Sequence, residues 1–143
     1  MTMLLALLGL LAAAGAPDVT VIVGATLVDG GGRAPMADSV VIVRGGVLAA
    51  VGDRAHTPIP KGASIVDGRR AWIAPAPAAL PSADGLGRAI YELARGPVSR
   101  LQAGQPAHIA LLDGDPRDDR LRPAVRRIWI AGKPRESAEK AAR

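Results

Sequence analysis

Two histidines, His56 and His108, are the only imidazoles in 143 residues, and cysteine is absent. Disulfides, thiolate metal sites and cysteine nucleophiles are therefore excluded. A catalytic zinc takes three protein ligands. His56 stands in the loop "DRAHTPIP", and His108 opens the apolar run "HIALLD" with no second histidine nearby. Each reads as a surface or structural residue rather than a ligand. The run "DGDPRDD", Asp113 to Asp119, suggests calcium at first sight. It lacks the central glycine and terminal glutamate of an EF-hand loop at the required spacing, and Pro116 stiffens it. Asp118 and Asp119 lie among arginines and read as solvated surface. "DGGGRAP", from Asp29, could be mistaken for a phosphate cradle. It has no Gly-Lys-Ser/Thr ending and no helix pattern follows, so a flexible inter-strand loop is expected. None of Ser39, Ser64, Ser82, Ser99 and Ser137 has a G-x-S-x-G context. The residues thus nominate no catalytic, cofactor-binding or metal site, and no cofactor.

Composition narrows the partners. The formal net charge is +5, but the cations are interleaved with acids, as in "GDPRDDRLRPAVRR". Single-stranded nucleic acid needs aromatic platforms for its bases. Trp72, Trp129 and Tyr91 are the only aromatics, so no nucleic-acid partner is expected. With no Phe, the core must be built from Val, Ile, Leu and Ala.

The elements come next. "MLLALLGLLAAAGA", residues 3–16, is uncharged and apolar. It is too short to span a bilayer, which takes about 20 residues. Its length and its Ala14-Gly15-Ala16 end match a secretory signal. No Lys or Arg precedes it and Pro17 follows it, so cleavage after Ala14 is the fallback and a buried helix the alternative. The expectation is export to a periplasmic or extracellular site, with residues 1–16 removed and no stable membrane span left.

From Val19 the pattern is β. "VTVIVG" and "ATLVDG" are β-branched runs closed by glycine. "SVVIVRGGVLAAVGD" has two apolar arms around Gly45-Gly46, a link suited to a two-residue hairpin turn. "SIVDG" and "AWIA" follow, then an Ala/Pro linker to residue 85. "SADGLGRAIYELARGP" reads as one helix, capped by Ser82 or Asp84, with Leu86, Ile90, Leu93 and Ala94 on one face. Gly96-Pro97 ends it. "HIALLD" and "RRIWIAG" are two last strands, and the tail "KPRESAEKAAR" is polar. About eight short strands with one helix, and no strand–helix alternation, point to a mainly β fold, a small sandwich or open barrel.

The order of these pieces resembles the amidohydrolase (metal-dependent hydrolase) superfamily, above all its imidazolonepropionase- and prolidase-like members. The motifs are "GATLVDG", "VVIVRGGVLAAVGD" and "SIVDGRRAWIAP", then "GQPAHIALLDGDP" and "RRIWIAGKP". They cover residues 19–75 and about 93–133. The resemblance implies a composite β-sandwich made by the two flanking segments, with a metal-binding (β/α)8 barrel inserted between them. Such a barrel takes about 250 residues. Only residues 76–92 lie between the matched parts here. Aligned on Pro75-Ala76, the family's Asp-x-His-x-His falls on Ala79, Pro81 and Ala83, none of which can bind a metal.

The resemblance therefore implies a sandwich over residues 17–135 without its barrel. Residues 18–75 carry the first strands, 76–97 the linker and helix, 98–135 the last strands, and 136–143 a polar tail. It implies ancestry in a metal-dependent hydrolase and leans against enzyme activity. Removal of the barrel would bare an apolar sandwich face, onto which Ile90 and Leu93 are expected to fold. An interaction module is one reading, pairing with a second copy or a barrel-containing amidohydrolase subunit. Alternatives are an enzyme acting on non-peptide C–N bonds with its barrel supplied by another chain, or a decayed gene fragment.

Overall fold

The computed structural model describes residues 18–135, except 119, 121 and 122. The expected signal segment and polar tail lie outside the described residues, apart from the first three tail positions. Among the described residues the architecture is mainly β, with eight strands and one helix, and no barrel is evident.

β1 (Val19–Leu27) is the strand on which everything else is hung. The sequence reads as two runs here, but the structure has one strand. Gly24 takes a φ of 92° and makes a bulge rather than a chain reversal, so pairing resumes beyond it. β2 (Met36–Arg44) pairs antiparallel along one side of β1, and β3 (Val47–Asp53) pairs with β2. Gly45 and Gly46, at φ 59° and 82°, form the two-residue link the sequence suggests. The other side of β1 is divided. Its first half takes β4 (Ser64–Asp67) and its last residues take β5 (Trp72–Pro75), both parallel. β6 (Ile109–Leu112), β7 (Val125–Ile130) and β8 (Lys133–Arg135) continue antiparallel from β5.

The last strand differs from expectation. Residues 133–135 read as the start of a polar tail, yet they pair with β7 as β8. Ala131, at φ 50°, and Gly132, at φ 76°, reverse the chain, so strands divide five before the helix and three after it.

The bend in β1 folds the strands into two layers around a shared core. Ile22, Ala25 and Leu27 of β1 meet Val41 and Val43 of β2, Leu48 of β3, Ile73 of β5, Ile109 and Leu111 of β6, and Trp129 of β7. The outer face of the first layer carries Val21, Val23, Val40 and Ile42. β3 ends level with Ser39 while β4 starts level with Thr20, so residues 54–63 must run back across the layer. They do so over this outer face: Thr57 lies against Gly52 of β3, and Ala63 packs on the valine cluster. β2 is therefore covered on both sides, as its run of four apolar residues predicts.

The outer face of the second layer is covered by α1 (Ala83–Arg95). Leu86, Ile90 and Ala94 pack on Ala74, Ala110, Leu112 and Ile128, with Trp72 at the rim. Ile90 is 1% exposed, while Leu93 is only half-buried at the flank of this contact. Ser82 occupies the N-cap, where its carbonyl, not its side chain, accepts the first amide bonds. Gly96 closes the helix in an extended conformation (φ −62°, ψ 157°) rather than the left-handed one. Pro97 disfavours helical geometry at the residue before it.

Candidate functional site

The resemblance places its first metal-binding residues just after β5. Pro75 is fully buried as the last residue of β5, and Ala76 donates its N–H to the His108 carbonyl at 3.0 Å. The chain then leaves the protein as an exposed run from Ala78 to Ser82 and re-enters as α1. Ala79 and Pro81 lie on that exposed run, and Ala83 begins the helix. Side chains of these types offer no nitrogen or carboxylate to a cation. Among the described residues no group of three or more His, Cys, Asp or Glu could hold a metal ion. The residues do not fit the metal that the resemblance implies, and no hydrolytic step follows from them.

The structure separates the two histidines. His56 is exposed; its Nδ1 lies 2.7 Å from Asp53 Oδ1, and the same oxygen accepts its backbone N–H at 2.9 Å. These bonds hold the Asp53 carboxyl below the usual carboxylate range. His108 sits at the start of β6, where Nδ1 accepts the Ala131 N–H at 3.0 Å. It pairs with backbone and meets no second titratable group in that bond.

The acidic segment is occupied by arginines. Asp115 takes a two-point contact from Arg117, at 3.1 and 2.8 Å, and also accepts its backbone N–H at 2.9 Å. The Arg117 guanidinium lowers the Asp115 carboxyl. Asp113 pairs with Arg126 of β7. Guanidinium groups thus staple this turn from within and from β7. Beside it lies an open cleft of about 620 Å³ lined by Tyr91, Arg95, Asp115, Arg117, Asp118 and Arg120. Arg95 bonds the Tyr91 hydroxyl and lies 5.0 Å over its ring centroid. Three guanidiniums facing two carboxylates can attract an anion weakly.

The glycine loop is not the flexible connection that its composition suggests. Asp29 Oδ2 accepts the Ser99 hydroxyl at 2.9 Å, the Asp29 carbonyl accepts the Arg100 N–H at 3.0 Å, and Gly31 N–H donates to the Gly96 carbonyl at 2.8 Å. The loop therefore clasps the far end of α1. A link between residues 70 apart in sequence leaves no local signal, which is why motif reading misses it.

No protein-family model matches the chain, and no curated protein matches it. Solved structures do. Molinate hydrolase matches at 28% identity over 42% of this chain and 13% of its own, with a TM-score of 0.39. Phenylurea hydrolase B matches at 42% identity over 41% of this chain and 13% of its own, also at 0.39. A β-aspartyl dipeptidase from Fervidobacterium islandicum matches at 17% identity over 43% and 15%, with a TM-score of 0.34. These neighbours are amidohydrolase-superfamily members, and they overlap about 42% of this chain. The chain in turn spans about an eighth of the first two.

Proposed function

We propose that this chain is an exported, non-catalytic sandwich domain derived from an amidohydrolase, kept as a folded unit by a helix that stands in for the missing barrel. One observation carries the reading. Between the two groups of strands that carry the sequence resemblance the chain has only a short exposed linker and α1, and α1 buries Leu86, Ile90 and Ala94 on the face of β5, β6 and β7. The ligand positions of the family fall on Ala79, Pro81 and Ala83 within that junction. The apolar residues 3–16 with their Ala-Gly-Ala end support export.

The test is metal content and turnover on the purified full chain. After dialysis against zinc, atomic emission should find less than one tenth of an equivalent, and neither a prolyl dipeptide nor an aryl urea should be hydrolysed. One bound zinc with hydrolysis that His56→Ala or His108→Ala abolishes would overturn the proposal. Export is checked separately, by the mass of the product recovered outside the cytoplasm. Loss of residues 1–14 or 1–16 is expected.

A further inference from the structure

The start of β6 is the point at which the two layers are tied together. The Gly46 carbonyl, in the β2–β3 turn, accepts the Ala107 N–H at 3.0 Å, and the Ala107 carbonyl accepts the Gly132 N–H at 3.0 Å. Gly46 and Gly132 are packed so closely that a Cβ on Gly132 would lie 2.8 Å from the Gly46 Cα. His108 completes this clasp: its carbonyl takes the Ala76 N–H, and its ring Nδ1 takes the Ala131 N–H at 3.0 Å. A backbone N–H only donates, so Nδ1 carries no proton and the neutral ring holds its hydrogen on Nε2. Ala131 is held at φ 50°, a region that alanine enters only at a cost.

We infer that His108 makes this clasp acid-sensitive. A second proton can enter the ring only at Nδ1. It converts the acceptor into a donor facing the Ala131 N–H, and the bond is lost. The β7–β8 turn then loses its side-chain tether, and the contact between the layers at Gly46 and Gly132 loosens first. The charged residues carried by the neighbouring elements are Arg44 of β2, Arg126 and Arg127 of β7 and Lys133 and Arg135 of β8, with Asp38 on β2, Asp53 on β3 and Asp113 after β6. The acids there, Asp38, Asp53 and Asp113, are paired with Arg54, His56 and Arg126.

The experiment is nitrogen-15 NMR of the full chain between pH 8 and pH 5, reading the ring nitrogens and the exchange protection of the Ala131 amide. The Nε2–H tautomer is expected at pH 8. Protection of Ala131 should fall about fivefold, the net worth of one hydrogen bond, with the midpoint of the His108 ring titration. His108→Asn supplies an acceptor that takes no proton and should abolish the fall, whereas His56→Asn should leave it in place. An Nδ1–H tautomer at pH 8, Ala131 protection unchanged while the ring titrates, or a fall that persists in His108→Asn would each overturn the inference. If His108→Asn does not fold, the tautomer and the two midpoints in the natural chain decide the matter.

Discussion

At the scale of single residues, two positions show how geometry outweighs composition. Gly30 has φ 86°, and a Cβ there would lie 2.8 Å from the Val98 carbonyl and 3.0 Å from that of Leu93. Both neighbours are backbone and cannot swing away. Gly30→Ala is expected to cost about 1–3 kcal/mol, read as a lower urea midpoint with an unchanged slope. By contrast Gly32, at φ 71° with open space around it, has only the strain to pay and should cost less. Asp67 illustrates a surface pair. Arg69 holds its carboxyl at about 2, from an ordinary 3.8, through side-chain and backbone bonds. The folded value is depressed, so the contribution of the pair is fully present above about 4 and is lost as pH falls towards 2. Proton titration by NMR should show the Asp67 midpoint returning to the ordinary range in Arg69→Ala. Both side chains are exposed, so global stability should hardly move.

At the scale of elements, what can be read from the sequence depends on where the determining contacts lie. The hairpin at Gly45-Gly46 and the buried run of β2 are legible because turn chemistry and burial act within a few residues. The helix and its apolar face are legible by spacing, although the contact centres on Leu86, Ile90 and Ala94 and leaves Leu93 at its edge. β8 is not legible, because Lys133, Pro134 and Arg135 have no apolar pattern and owe their strand to pairing with Ile128, Trp129 and Ile130. Nor is the merging of two runs into β1, which depends on partners that continue past Gly24. The arginine cleft and the Asp29–Ser99 clasp are not legible either, because they join residues that only the fold brings together. The packing of α1 gives a graded expectation. Ile90→Ala should cost about 2–5 kcal/mol, as deletion of a buried branched side chain does, and Leu93→Ala clearly less. Urea midpoints of the two variants check the order, and equal losses would mean that the helix is seated differently.

At the scale of the whole molecule, β1 belongs to both layers, so neither layer can be lost while the other stays intact. The two tryptophans report on this separately. Trp129 lies in the core between the layers, with Arg127 5.7 Å over its ring, and Trp72 lies at the rim of the α1 contact. Urea unfolding followed by the fluorescence of Trp72→Phe and Trp129→Phe variants, and by circular dichroism, should give coincident transitions. Separated midpoints would mean that the helix-covered layer melts as its own unit. The exposed run between β5 and α1 has a different consequence. Residues 78–82 take no part in any strand or helix, while β5 is bonded to β6 along its full length from the other side of the gap. The covalent link at this place is therefore redundant once the chain has folded. A protease that nicks it should leave a two-piece protein that elutes as one. Two fragments made separately and divided there should find each other and restore the same spectrum, the first supplying β1 to β5 and the second α1 and β6 to β8.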